Sequence, residues 1–240
     1  HKMIYGRVNV MTRQLSDTGQ MVVIYDDHRW LLNVLFYISK LGEYLDLIYF
    51  DAHDDAAPSE KKSVLLKKIG VDELKDATEK QFGAFVDHDQ RIDDGGWLTT
   101  AMELNLVGDV LNIGNRFSDN LEQMNGTYVS EDGITHNILE LSKDLEYEFG
   151  CRGKLGDTCR EDECRKIRDF FNIKHYLGSY EDAKIANPYV LDFDLDFFTL
   201  STEDDGTHGW TPKIFNKYFP NYSRQDTFLR YLIANAKVIT

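Results

Sequence analysis

Cysteine and proline are both scarce in this chain: 3 Cys and 4 Pro among 240 residues. An odd number of thiols, gathered as Cys151, Cys159 and Cys164 in one hydrophilic stretch, argues against a disulfide-stapled secreted scaffold. Their spacing matches no common zinc module; with His175 they could make a three-cysteine, one-histidine site, but free thiols, or one local disulfide beside a free thiol, are the readier reading. Basic residues are also in short supply, with 27 Lys and Arg against 41 Asp and Glu, a formal net charge of −14. That balance disfavours nucleic acid, whose phosphates demand a basic surface, and favours a cationic partner. Repeats, low-complexity tracts and membrane-length apolar runs are missing, and so is a secretory hydrophobic segment in the N-terminal stretch given. These absences point to a cytoplasmic protein without a membrane partner. What remains, 42% hydrophobic residues spread evenly, is enough for the core of one soluble domain.

The hydrophobic periodicity alternates between strand and helix. Short apolar runs near Met21–Tyr25, Leu45–Phe50, Asp109–Ile113 and Tyr189–Asp194 read as buried strands. Helical runs lie near Trp30–Lys40, Val71–Phe85, Trp97–Leu106 and Glu161–Phe171. That order predicts an α/β fold with a mostly parallel sheet and helices on both faces, three layers in all. Thr127 to His136, with Asp132-Gly133 between extended runs, reads as a β-hairpin inserted in that core; with the cysteine stretch it forms an insertion over 127–164. Ser223 to Ala236 reads as a further helix, and Lys237–Thr240 begins another buried strand.

Acid and histidine cluster where those strands end. Asp51-Ala-His53-Asp54-Asp55 follows Tyr44–Phe50, and Asp192-Phe-Asp194-Leu-Asp196 follows Pro188-Tyr-Val190. Side chains alternate across a strand, so Asp192, Asp194 and Asp196 are expected on one side of an apolar segment, where uncompensated charge is costly. Cations resolve that conflict. A third strand, Met21–Tyr25, ends in Asp26-Asp27-His28 before a helix. Functional groups gather at the carboxyl ends of parallel strands, which would bring His28, the Asp51–Asp55 group and Asp194/Asp196 to one edge. A solvated acidic loop after each strand is the bland alternative; two such clusters together make it the poorer reading.

These segments resemble the arginase and agmatinase (ureohydrolase) superfamily, marked by a Gly-Asp-His turn, an Asp-Ala-His-x-Asp segment and a late Asp-x-Asp strand. Still more similar is an arginase-like family marked by an Asp-His turn, Asp-x-His-x-Asp, a Trp-(Leu/Ile) helix and Leu-Asp-x-Asp-Leu-Asp-Phe-Phe. Here those blocks are Asp27-His28, Asp51 to Asp55, Gly96-Trp97-Leu98 and Leu191 to Phe198. Some bacterial members convert arginine within a peptide to ornithine. The resemblance implies a single arginase/deacetylase-like catalytic domain over 1–240 with two manganese ions. One would be held by His28, Asp51, Asp55 and Asp194, the other by Asp51, His53, Asp194 and Asp196, with Asp51 and Asp194 bridging. It places Asp55 in the catalytic set as well, and His88, in Asp87-His88-Asp89, in the region of a proton-shuttling histidine. His208, in the loop after the late acidic strand, is the rival for that role. His136 reads as structural or surface.

The implied reaction is hydrolysis of a guanidino group to ornithine and urea, on an arginine-containing peptide or a small guanidino compound. The family's glutamate that holds the guanidinium has no counterpart before Thr240; either it lies beyond the given chain or the pocket closes differently. Two other classes stay open: a mononuclear zinc deacetylase of the same fold, which needs only Asp51, His53 and Asp194, and a metal-stabilised binding protein without turnover.

Overall fold

A computed structural model of the chain describes residues 13–14, 20–25, 27–56, 70–90, 95–113, 126–141, 187–202, 206–210, 212 and 228–240. Ten strands are described: β1 (Arg13–Gln14), β2 (Met21–Val22), β3 (Asp46–Phe50), β4 (Val110–Ile113), β5 (Thr127–Val129), β6 (Thr135–Leu141), β7 (Tyr189–Phe193), β8 (Thr199–Thr202), β9 (Gly206–Gly209) and β10 (Val238–Ile239). Eight of them form one sheet in the order β1-β2-β10-β7-β3-β4-β6-β5. The six inner strands are mutually parallel, and an antiparallel strand closes each edge. The expected α/β fold with a mostly parallel sheet is therefore present.

The last strand holds a central place. β10 lies between β2 and β7 and pairs with both in parallel, with Val238 level with Met21 and Val190. By bridging these strands it brings the β2 end, and His28 after it, to the same edge as the acidic end of β7.

Fully buried inner strands read as continuous apolar runs because both faces are covered. On one face Leu47, Tyr49, Val110, Val190 and Val238 join a core with helix α1 (Leu31–Lys40), α3 (Glu79–His88) and α4 (Trp97–Glu103). Phe36 of α1 stacks on Phe82 of α3 with ring centroids 4.0 Å apart. On the other face Ile48, Leu111 and Leu191 are completely buried. There Phe50, Phe193, Phe197, Phe198 and Trp210 form an aromatic layer.

The helix expected over Val71–Phe85 is two helices, α2 (Val71–Lys75) and α3. Thr78 starts the second: its hydroxyl accepts from the Gln81 amide, while the Gln81 side chain accepts from the Thr78 amide. This reciprocal cap satisfies two donors that a continuous helix would not leave free. α4 stops at Glu103, three residues short of expectation, where Asn105 adopts φ 53° in the left-handed region. Helix α5 (Phe228–Asn235) falls within the run read from Ser223 to Ala236.

The 127–141 hairpin belongs to the main sheet rather than standing apart from it, because β6 pairs with β4 as well as with β5. Buried His136 is structural: its ring nitrogens lie 3.0 Å from the Gly108 carbonyl and 3.2 Å from Asn105 Oδ1. The cysteine stretch, His175 and the expected Glu161–Phe171 helix lie outside the described residues. Among the described residues no helix is long and apolar enough to cross a membrane.

Candidate metal centre

Local capping delivers each acid and histidine. Asp27 caps the 3-10 turn His28–Trp30 by accepting from the Arg29 amide at 3.2 Å, and its carboxylate also pairs with the Arg29 guanidinium. Asp27 is thereby engaged in the cap, and His28 faces the sheet edge. After β3 the chain makes two successive turns of the same kind. Asp51 Oδ1 accepts from the His53 amide at 2.7 Å, and Asp54 Oδ1 accepts from the Ala56 amide at 3.3 Å. Asp55 then takes a left-handed conformation, φ 48°, which turns the chain toward α4. The first amides of α4 hold that loop from above, Leu98 N donating to the Asp55 carbonyl at 3.1 Å. From below, Asn112 of β4 donates to the His53 carbonyl at 3.2 Å.

β7 ends earlier than its alternating acids suggest. The strand stops at Phe193, and Leu195–Phe198 form a 3-10 turn. Asp194 Oδ1 accepts from the Asp196 amide at 2.9 Å, a local bond that breaks the extended chain. So the three acids do not share one strand face. Asp192 lies deep in the sheet, level with Tyr49, Asp194 stands at the edge, and Asp196 arrives through the turn, where it accepts from the Ala52 amide at 3.1 Å.

Two groups of potential ligands result, His28/Asp51/Asp194 and Asp51/His53/Asp196, with ligand atoms in each within 4.8 Å of one another. Asp51, completely buried, belongs to both. His28 Nδ1 lies 3.2 Å from Asp51 Oδ2, 2.9 Å from Asp55 Oδ2 and 3.1 Å from Asp194 Oδ2. Despite those neighbours, His28 Nδ1 and Asp51 Oδ2 are buried without a well-directed hydrogen bond. A buried nitrogen surrounded by three carboxylate oxygens, none aligned to accept from it, is the arrangement of a ligand set around a cation. In the second group His53 Nδ1 is 2.7 Å from Asp196 Oδ2 and 3.7 Å from Asp51 Oδ1. These His and Asp groups could hold a metal ion.

The electrostatics carry the same message. Burial pushes the Asp51 carboxyl up to about 6, against the lowering pull of His28 and His53. Burial also opposes charge on His28, yet Asp192 at one nitrogen, with Asp194 and Asp51 at the other, holds it well above the ordinary imidazole value. The neighbouring carboxylates of Asp51 and Asp196 raise His53 to about 9 in spite of partial burial. For Asp192 and Asp194 burial works upward, but His28 outweighs it and both are lowered. The cluster is rich in negative charge, which favours a cation among its carboxylates.

All six residues expected as ligands, His28, Asp51, His53, Asp55, Asp194 and Asp196, come together here. Bridging, expected of both Asp51 and Asp194, appears in the grouping for Asp51 alone. Asp55 is fixed by the indole of Trp97, whose Nε1 donates to its Oδ2. Trp97 is completely buried and its ring lies 4.7 Å from that of His28. His88 is not among these residues. It ends α3 with 76% of its side chain exposed and lies 3.9 Å from Asp87. It lines a cavity of about 710 Å³ with Asp72, Glu73, Gln81 and Phe85, a cavity that no residue of the cluster lines. His208 lies on β9, paired with Leu200 of β8 in a hairpin that leaves the Leu195–Phe198 turn directly.

The alternation of acids in the late strand does not separate Asp192 from Asp194 and Asp196, and nothing in the local sequence singles out Tyr25 or Thr240. Both donate to Asp192, a link between distant strand ends that no local spacing reveals. No family model matches the chain, and no curated protein matches it.

Proposed function

We propose that this chain is a binuclear manganese hydrolase that cleaves the guanidino group of an arginine side chain carried in a peptide, releasing urea and leaving ornithine. The observation that carries the reading is the buried Asp51 carboxylate shared by two histidine and aspartate groups. Carboxylate and imidazole without thiolate suit manganese or a similar ion. The carboxylate oxygens of Asp51, Asp55 and Asp194, each within 3.2 Å of His28 Nδ1, would hold one ion together with that nitrogen.

When bound, two such ions supply Lewis acidity and lower the pKa of a shared water toward neutrality. The rest falls to the protein. Asp51, His28 and Asp55 form the closed side, beside the buried Trp97, and Asp194, 28% exposed, stands between it and the open side. His53 and Asp196, half and one-third exposed, form the open side. A guanidinium arriving there would meet the negative field of the acid cluster, which favours a cation beside the site and helps place its carbon for attack. Leu195, 79% exposed between two of the acids, gives the rim an apolar surface for the aliphatic stem. The departing amine needs a proton, and of the two candidate histidines His208 is the one on the hairpin leaving the site. The net charge of −14 steers a cationic peptide toward the protein.

Incubation with manganese and a peptide bearing one internal arginine, followed by mass spectrometry, tests the reading. Urea and ornithine-containing peptide are expected, with higher kcat/KM than for free arginine. Preference for free arginine would remove the peptide from the proposal. One bound zinc and no urea would point instead to the deacetylase class.

A further inference from the structure

The two ring nitrogens of His28 face different chemistry. Nδ1 points into the cluster of Asp51, Asp55 and Asp194, while Nε2 meets Asp192 Oδ2. Asp192 is completely buried, and its other oxygen accepts from the Tyr25 hydroxyl and from the Thr240 hydroxyl, the latter at 2.6 Å. A buried carboxylate that collects donors on both oxygens acts purely as an acceptor, so the proton between it and His28 resides on Nε2. In a neutral ring that leaves the lone pair on Nδ1, aimed at the three carboxylates. We infer that Asp192 is a positioning residue for the metal centre: held by Tyr25 and Thr240, it fixes the tautomer and orientation of His28 so that Nδ1 serves as the ligand.

The inference rests on the reading that His28 is a ligand, and it gives the surplus acid of the late strand a task distinct from its neighbours. Asp194 and Asp196 stand at the sheet edge where an ion would be. Asp192 sits two residues deeper, beside Tyr49, and touches the centre only through the imidazole. Its two hydroxyl partners come from the segment after β2 and from the end of β10. The network therefore ties three neighbouring strand ends together directly behind one ligand. A carboxylate behind a ligating histidine raises the basicity of the ring and locks its rotation, and loss of such a partner typically weakens metal binding 10 to 100-fold.

Manganese titration followed by electron paramagnetic resonance of the free ion tests this without any turnover assay. Asp192→Asn should weaken one site by about 10 to 100-fold and leave the other within about twofold. In a His28→Ala background the same substitution should cause no further loss, because the path from Asp192 to the ion is then cut. Equal losses in both backgrounds would show that Asp192 acts through the fold at large, and loss of both ions would make it a ligand; either overturns the inference. Should Asp192→Asn fail to fold, the paired variant Tyr25→Phe/Thr240→Val decides: a weaker first site supports the network, and unchanged affinity contradicts it. Absence of urea production bears on the proposed reaction and leaves this result standing.

Discussion

His28 is enclosed by protein, with 11% of its side chain exposed, whereas half of the His53 side chain reaches solvent. His28 has a fully buried acid behind it and an indole beside it; His53 has Asp196 in front, itself one-third exposed. The contrast separates two tasks that one centre must combine. A buried, pre-oriented group holds an ion firmly, since its ligands are already in place. An open group exchanges more easily and leaves room for a substrate. Asp51 joins the two, with one oxygen near His28 and the other near His53.

The largest effect should come from cutting that joint. Two divalent ions about 3.5 to 4 Å apart repel by on the order of 18 kcal/mol at an effective dielectric of about 20, so an anion between them is indispensable. Asp51→Ala should therefore abolish paired occupancy, as measured by metal analysis after dialysis. The fold should survive. Burial raises Asp51 to about 6, so its charge at neutral pH costs on the order of 3 kcal/mol, and removing it relieves that cost. A melting temperature in chelator no lower than that of the parent would bear this out.

The histidine substitutions sharpen the comparison. His28→Ala leaves the buried Asp192 without its charge partner and should cost about 3 to 5 kcal/mol of stability in chelator. His53→Ala removes an exposed pair and should change stability by less than about 1 kcal/mol while weakening only the second site. Denaturant melts of both variants decide; equal losses would erase the distinction between a closed and an open side.

A smaller effect follows from pH. His53, at about 9 in the fold against about 6.5 unfolded, stabilises fully below pH 6.5, and that contribution is lost as pH rises through 9. Asp51, raised to about 6, adds a decline between its unfolded value and pH 6. With chelator present the melting temperature should fall from pH 6 to pH 9. With saturating manganese it should rise over the same range, because protons compete with the ion for His28 and His53. Thermal scans at both conditions check the reversal. The smallest effect belongs to His88→Asn, which should leave manganese content and turnover unchanged; loss of turnover would give the exposed His88 the proton-transfer role instead of His208.

The candidate ligands were legible because chemistry and periodicity coincide where they sit. Asp51 follows an unbroken apolar strand, and buried charge there demands a counter-ion. The same logic placed Asp192 beside Asp194 without telling ligand from support, because alternation assigns a face and not a depth. Depth depends on β10, which arrives from the far end of the chain to stand between β2 and β7. The break at Thr78 was written in Thr78 and Gln81, a capping pair that the apolar periodicity of the flanking helices masked. For His88, order along the chain located a histidine but did not show that it would end α3 with most of its side chain exposed.

Titration of the metal-depleted protein with manganese, read by low-temperature electron paramagnetic resonance, tests the shared carboxylate most directly. The expected result is two ions per chain with a spin-coupled signal, as ions joined through Asp51 must give. A single ion at saturation, or two ions with the uncoupled spectrum of isolated manganese, would contradict it.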